Sequence, residues 1–140
     1  VPFLSTFSQF ASFRSADQLH TDLCYQNVNA KVIATHSGTS FGQAGSTHHA
    51  ITDLAITRAM PNLTVIVPAD GFETANAVNA AYENFGPYYI RINRGFDRLF
   101  VPSTGCIESE DSRYADARSP TVSSVARTTY HIYDHRVRQQ

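Results

Sequence analysis

The sequence has no tryptophan, one methionine, two cysteines and a single lysine, Lys31, among eleven basic residues. Cys24 and Cys106 are too few for the disulfide framework of a small secreted domain, so a reducing, cytoplasmic setting is expected. Charge is equally sparse, at 16% of residues with a formal net charge of −1. That balance excludes the strongly basic footprint of a nucleic-acid binder. No apolar run approaches the ~20 residues of a membrane-spanning helix, and no basic-then-apolar leader opens the chain. What is present is 140 residues, 42% of them apolar. This is one domain's worth of chain, able to bury about 65% of its unfolded surface.

The apolar residues are unevenly spread. Residues 1–100 carry 46 of them in periodic segments, whereas residues 101–140 carry 13, with ten Ser or Thr and no sustained period. The chain is therefore expected to divide into a folded unit, 1–100, and a divergent or poorly ordered tail, 101–140. Within the first unit, short β-rich runs alternate with helical patterns. Strands are expected at Val1–Phe7, Lys31–Thr35, Thr64–Val67 and Tyr88–Asn93. Phe10, Phe13, Ala16, Leu19 and Leu23 form one apolar stripe of a helix over Ser8–Tyr25. Ile51, Leu54, Ala55 and Ala59 do the same for His48–Met60, which Pro61 ends. Asp70 and Glu73 read as an N-cap and its capping-box partner. The helix behind them would bury Ala75, Val78, Ala81, Tyr82 and Phe85 and stop at Gly86-Pro87.

Strand–helix units repeated three times and closed by a strand predict an α/β fold with a parallel sheet and right-handed crossovers. Ligands of such sheets bind beyond the carboxyl ends of the strands. Phe7, His36, Asp70 and Arg94 each follow a strand and should share that edge. The loop Ser37–Thr47, with Gly38, Gly42 and Gly45, belongs there too. It allows close backbone approach and would feed a helix N-terminus suited to anions, although a plain surface loop fits the same composition. It is not a Walker loop, because no Gly-Lys-Ser/Thr follows. His36, His48 and His49 have no nearby cysteine and no usual zinc spacing, so no metal site is expected. On this edge an imidazole could instead bind an anionic substrate or shuttle a proton. Phe7, Phe10 and Phe13 read either as core or as the wall of an aromatic pocket. Arg94 reads as a solvated charge or a phosphate contact.

These residues resemble the pyrimidine-binding domain of transketolases. Pro2-Phe3-Leu4-Ser5-Thr6-Phe7-Ser8-Gln9-Phe10 is similar to that domain's opening strand and helix. Ala34-Thr35-His36-Ser37-Gly38 and Gly42-Gln43-Ala44-Gly45-Ser46-Thr47-His48-His49 are similar to its substrate loop. Asp53-Leu54-Ala55, Arg58 to Val65, Pro68-Ala69-Asp70 and Tyr89 to Arg94 extend the likeness, nearly continuous over 2–95 and nearest to the separate C-terminal chains of split transketolases.

The resemblance implies a three-layer parallel sheet with helices on both faces, the pyrimidine domain of the thiamine-diphosphate-binding fold, here truncated at its N-terminus. It implies transfer of a two-carbon ketol unit from a ketose phosphate to an aldose phosphate. Phe7 and Phe10 would line the aminopyrimidine pocket of thiamine diphosphate, with Phe13 at its outer edge. His48 would be the catalytic group facing the reacting carbon, while His36 and Arg94 would hold the sugar phosphate. Mg²⁺ and the diphosphate would be bound by a domain or subunit outside this chain, within a homo-oligomer or split-subunit assembly. Three departures stand out. Ala44 occupies a position that is acidic in many relatives. The glutamate that activates the cofactor would lie upstream of Val1. From about Phe100 the likeness stops. Alternative readings are 1-deoxyxylulose-5-phosphate synthase, a 2-oxo-acid dehydrogenase β-subunit, or a non-catalytic chain that only pairs with partners.

Overall fold

Four parallel strands form one sheet: β1 (Phe3–Phe7), β2 (Lys31–Thr35), β3 (Thr64–Ile66) and β4 (Tyr88–Arg91), in the order β1-β2-β4-β3. This computed structural model describes residues 1–94. The expected boundary near residue 100, the tail 101–140 and Cys106 lie outside the described residues. Phe3 pairs with Lys31 and Phe7 with Thr35; Ala34 pairs with Arg91, and Ile66 with Ile90. All four carboxyl ends therefore point to one edge, as the alternating pattern requires.

Strand side chains alternate between faces, and the sheet uses both. Val32, Ala34, Val65 and Tyr89 face one layer, with Ala11, Leu19, Cys24, Met60 and Leu63. Ile66, Tyr88 and Ile90 face the other, against Ala77 and Ala81 of helix α2 (Gly71–Glu83). The first layer comes from the helical segment after β1 and from α1 (Asp53–Arg58). Helices thus cover both faces, giving three layers. Each large side chain such as Val65 or Ile90, both fully buried, contributes about 1.5–3 kcal/mol by leaving water. Edge strand β1 keeps Phe3 and Leu4 exposed.

Local details correct several expectations. The helix expected over 8–25 forms, interrupted only at Ser15, but its turns are π-helical over Phe10–Arg14 and Gln18–Tyr25. Ser15 N–H donates back to Phe10 O and Val28 N–H to Leu23 O, both five residues earlier. The wider turn moves the buried face, so Ala11, Ser12, Leu19 and Cys24 go inside while Phe13 stays 47% exposed. The helix expected from His48 starts only at Asp53. Ala50 is held by Gly38 through two backbone bonds of 3.0 and 2.9 Å, a β-like pairing that a helix would have to break. The glycine loop therefore does not run into a helix N-terminus, and the anion site expected there does not form. In α2 the buried residues are Glu73, Ala77 and Ala81; Ala75, Tyr82 and Phe85 are exposed. The cap is as expected, with Asp70 Oδ1 accepting from Glu73 N–H at 2.8 Å.

Candidate functional site

The carboxyl edge of the sheet gathers a cluster of rings. Phe7 is the last residue of β1, and Phe10 opens the π-helical stretch just behind it. Ser8 fixes that junction: its buried hydroxyl donates to Thr35 O at 2.9 Å, and Ser12 donates to Ser8 O at 2.7 Å. The helical start is thereby pinned to the end of β2, where His36 follows. Phe7 lies 5.3 Å from Phe10, 4.2 Å from His36 and 5.9 Å from His48 between ring centroids. Phe10 is 5.2 Å from His48. Four residues named from the sequence thus meet in one place.

Phe41 completes the cluster and escaped the sequence reading. It stands 5.5 Å from Phe7, 4.8 Å from His36 and 5.8 Å from His48, mostly edge-on. These are favourable aromatic separations. The signal was a large apolar residue in the middle of a Gly/Ser/Thr loop, a place with no packing reason for one. Arg94 sits over the Phe41 ring at 4.5 Å, and its backbone N–H donates to Ser40 Oγ at 3.1 Å. Its exposed guanidinium makes no hydrogen bond among the described residues. Phe13 is outside the ring cluster, and Asp70 is occupied in capping α2.

The two imidazoles are held differently. His36 adopts a left-handed backbone, φ 56°, which turns the chain off the end of β2. Its Nδ1 is 2.8 Å from Thr35 Oγ1, and that hydroxyl donates its only hydrogen to Thr6 O at 3.3 Å. Thr35 must then accept from Nδ1–H, so a neutral His36 presents Nε2 as an acceptor. Burial, followed by the nearby Arg94 charge, pushes the His36 pKa below the usual imidazole range. His48 has Nδ1 at 2.9 Å from Thr47 Oγ1, leaving Nε2 open to a reactant. His49 is used structurally, with Nε2 at 3.1 Å from Gly42 O across the loop.

Beneath the loop lies a second set that the sequence reading did not single out. Asp53 is fully buried, with Oδ2 accepting from Arg91 Nε at 2.8 Å and from Tyr89 Oη at 3.2 Å. Ser37 Oγ donates to Asn93 Oδ1, tying the loop to the chain after β4. Cys24 is inert, because burial pushes its thiol up to about 12. Among the described residues no group of three His, Cys, Asp or Glu side chains could hold a metal ion. None of the described helices is long and apolar enough to cross a membrane.

The half-buried faces of Phe7, Phe10 and Phe41 suit a flat heteroaromatic ring, with imidazole nitrogens and a guanidinium at its border. Residues 1–96 match the family model described as the transketolase pyrimidine-binding domain. The chain is 39% identical over 94 residues to a putative transketolase C-terminal section of Methanocaldococcus jannaschii, covering 67% of this chain and 30% of that protein. It is 28% identical over 128 residues to one of the apulose-4-phosphate transketolase subunits of Phocaeicola vulgatus, covering 86% and 39% respectively. Among solved structures it is similar to a split-gene transketolase described as an inactive β4 tetramer. That likeness has a TM-score of 0.61 and 40% identity, over 74% of this chain and 33% of the other. The chain spans about a third of the length of these relatives.

Proposed function

The chain belongs to the transketolase pyrimidine-binding domain family, and we propose that it supplies the pyrimidine side of an active site for ketol transfer between sugar phosphates. The observation that carries this reading is the meeting of Phe7, Phe10, His36 and His48, from separate segments, in one ring cluster beside Arg94. Phe7 and Phe10, with Phe41, hold the aminopyrimidine ring of thiamine diphosphate, and Phe13 borders it on the outside. The cofactor, when bound, supplies the carbon that accepts the two-carbon unit and the sink for its electrons. This chain's part is to orient, exclude water and move protons. His48, through Nε2, holds or moves a proton at an oxygen of the sugar. Arg94 binds the phosphate at the rim, where a guanidinium with no hydrogen bond among the described residues suits a phosphate dianion, and His36 joins it as a donor once protonated, the form that a bound dianion favours.

Mg²⁺ and the diphosphate are bound by a separate domain or subunit, in a homo-oligomer or split-subunit assembly in the cytoplasm. The likeness to a split-gene relative, of which this chain spans 33%, supports that division. The test is reassembly. The chain alone, with thiamine diphosphate, Mg²⁺, xylulose 5-phosphate and ribose 5-phosphate, is expected to form no sedoheptulose 7-phosphate. The same mixture with a diphosphate-binding domain or subunit and a segment carrying the activating glutamate added is expected to form it. Turnover of pyruvate in place of the ketose phosphate would move the assignment to a synthase or dehydrogenase relative.

A further inference from the structure

The buried Asp53–Arg91 pair has no place in the scheme above, although it lies directly under the loop that carries both histidines. Arg91 ends β4 and uses two different nitrogens. Nε donates to Asp53 Oδ2 at 2.8 Å, and Nη2 donates to the backbone carbonyl of Ala50 at 3.1 Å. Tyr89, on the same face of β4, donates its hydroxyl to the same carboxylate oxygen. Its pKa is raised, first by burial and then by the Asp53 charge, so it remains a donor. Asp53 is therefore anchored from the sheet, and Arg91 is anchored on Asp53.

The outer end of this chain of contacts is the loop itself. Ala50 accepts from Gly38 N–H at 3.0 Å and donates to Gly38 O at 2.9 Å. Gly38 follows His36 by two residues, and Ala50 follows His48 by two. One guanidinium thus holds the point where the two limbs of the loop close. The guanidinium lies beside the loop backbone: a Cβ on Gly38, which has φ 59°, would stand in ordinary van der Waals contact with Arg91 Nη2 at 3.7 Å. Packing alone does not explain a charge in this position, since an apolar residue could fill the space but could not grip Ala50 O.

We propose that Arg91, braced by Asp53 and Tyr89, is a positioning residue that clamps Ala50 against Gly38 and so sets His48 and His36 for the reaction. The proposal rests on the reading of His48 as the proton-handling group. Its mechanism is preorganisation: a displacement of about 1 Å in a catalytic group can cost about a hundredfold in rate.

Arg91→Lys separates the clamp from the charge, because one ammonium keeps the ion pair but lacks the fork that serves both partners. In the reassembled enzyme its kcat is expected to fall about ten- to hundredfold, with the KM for thiamine diphosphate within about twofold of the parent. In a His48→Ala background the same change should cost less than about threefold, since the group being positioned is gone. Losses that multiply in full would overturn the clamp while leaving His48 in its role. A His48→Ala enzyme with parental kcat would overturn both. Amide exchange of this chain gives a readout that does not depend on activity. Gly38 and Ala50 amides should exchange faster in Arg91→Lys, while the Ile92 amide, bonded to Ala34 O at 2.8 Å, keeps its parental rate. Unchanged exchange at Gly38 and Ala50 overturns the proposal. Asp53→Asn, which keeps an oxygen acceptor and loses the charge, is the second variant and should show the same masking by His48→Ala.

Discussion

The two ends of the sheet each carry a cation, and they treat it in opposite ways. At the amino end Lys31 is fully buried, and its ammonium donates to Asn29 Oδ1, Asn84 O and Gly86 O, each at 2.8 Å. Three N–H groups meet three acceptors, and the Tyr88 ring lies 4.2 Å away. At the carboxyl end Arg94 is exposed, rests on Phe41, and its guanidinium has no hydrogen-bond partner among the described residues. A saturated, desolvated charge holds elements together. An unsaturated one at a rim is available to a ligand.

The sharpest break of this comparison is His48→Ala, which should lower kcat of the reassembled enzyme by about 10²–10⁴-fold. Its thermal midpoint should stay that of the parent, because no buried group loses a partner. Lys31→Met should do the reverse. Leaving the buried Gly86 O without its ammonium donor, and taking the same donor from the partly buried Asn29 Oδ1 and Asn84 O, costs about 1–3 kcal/mol. Chemical denaturation of the chain would read that loss, while steady-state constants of the folded enzyme stay unchanged. A Lys31→Met enzyme with normal stability and impaired turnover would invert the division between the two ends.

Arg94→Ala is expected to come next in size. Its KM for a phosphorylated sugar should rise about ten- to hundredfold, from the loss of a charge-assisted hydrogen bond. The unphosphorylated sugar should be little affected, and equal losses for both would remove Arg94 from the phosphate site. The smallest effect is electrostatic. Burial and then the Arg94 charge hold the His36 pKa below its usual value, so Arg94→Ala should let it climb part of the way back, as read by an NMR titration of the imidazole. The sign for stability follows from the same shift. Below the depressed folded value the unfolded and folded rings are both charged and the penalty on the fold is complete. It disappears as pH rises through the window up to the ordinary imidazole value.

Much of this site was legible because the order of strands and helices dictates where carboxyl ends fall. Phe7, His36 and Arg94 could be placed on one edge by counting elements, before any ring distance was known. Asp70 could be placed there too, but its capping role shows that position on the edge does not assign a function. Phe41, Asp53 and Arg91 were not legible as a set. Nothing in the local sequence marks Asp53 as buried, since its partners Tyr89 and Arg91 lie on a strand far along the chain. The helix expected from His48 failed for a related reason, because Gly38 captures the Ala50 backbone from across the loop.

The sequence by itself determined the α/β class, the parallel sheet and the edge on which the chemistry lies. Period, capping residues and turn residues act within a few positions of one another, so the local chain contains that information. Only the tertiary structure decided which ring faces which, where α1 begins, how the π-helical stretch turns Phe13 outward, and that one buried guanidinium holds the histidine loop closed. Those outcomes depend on non-local contacts among the strands and the loop, where hydrogen bonds and burial between distant residues outweigh local helical preference.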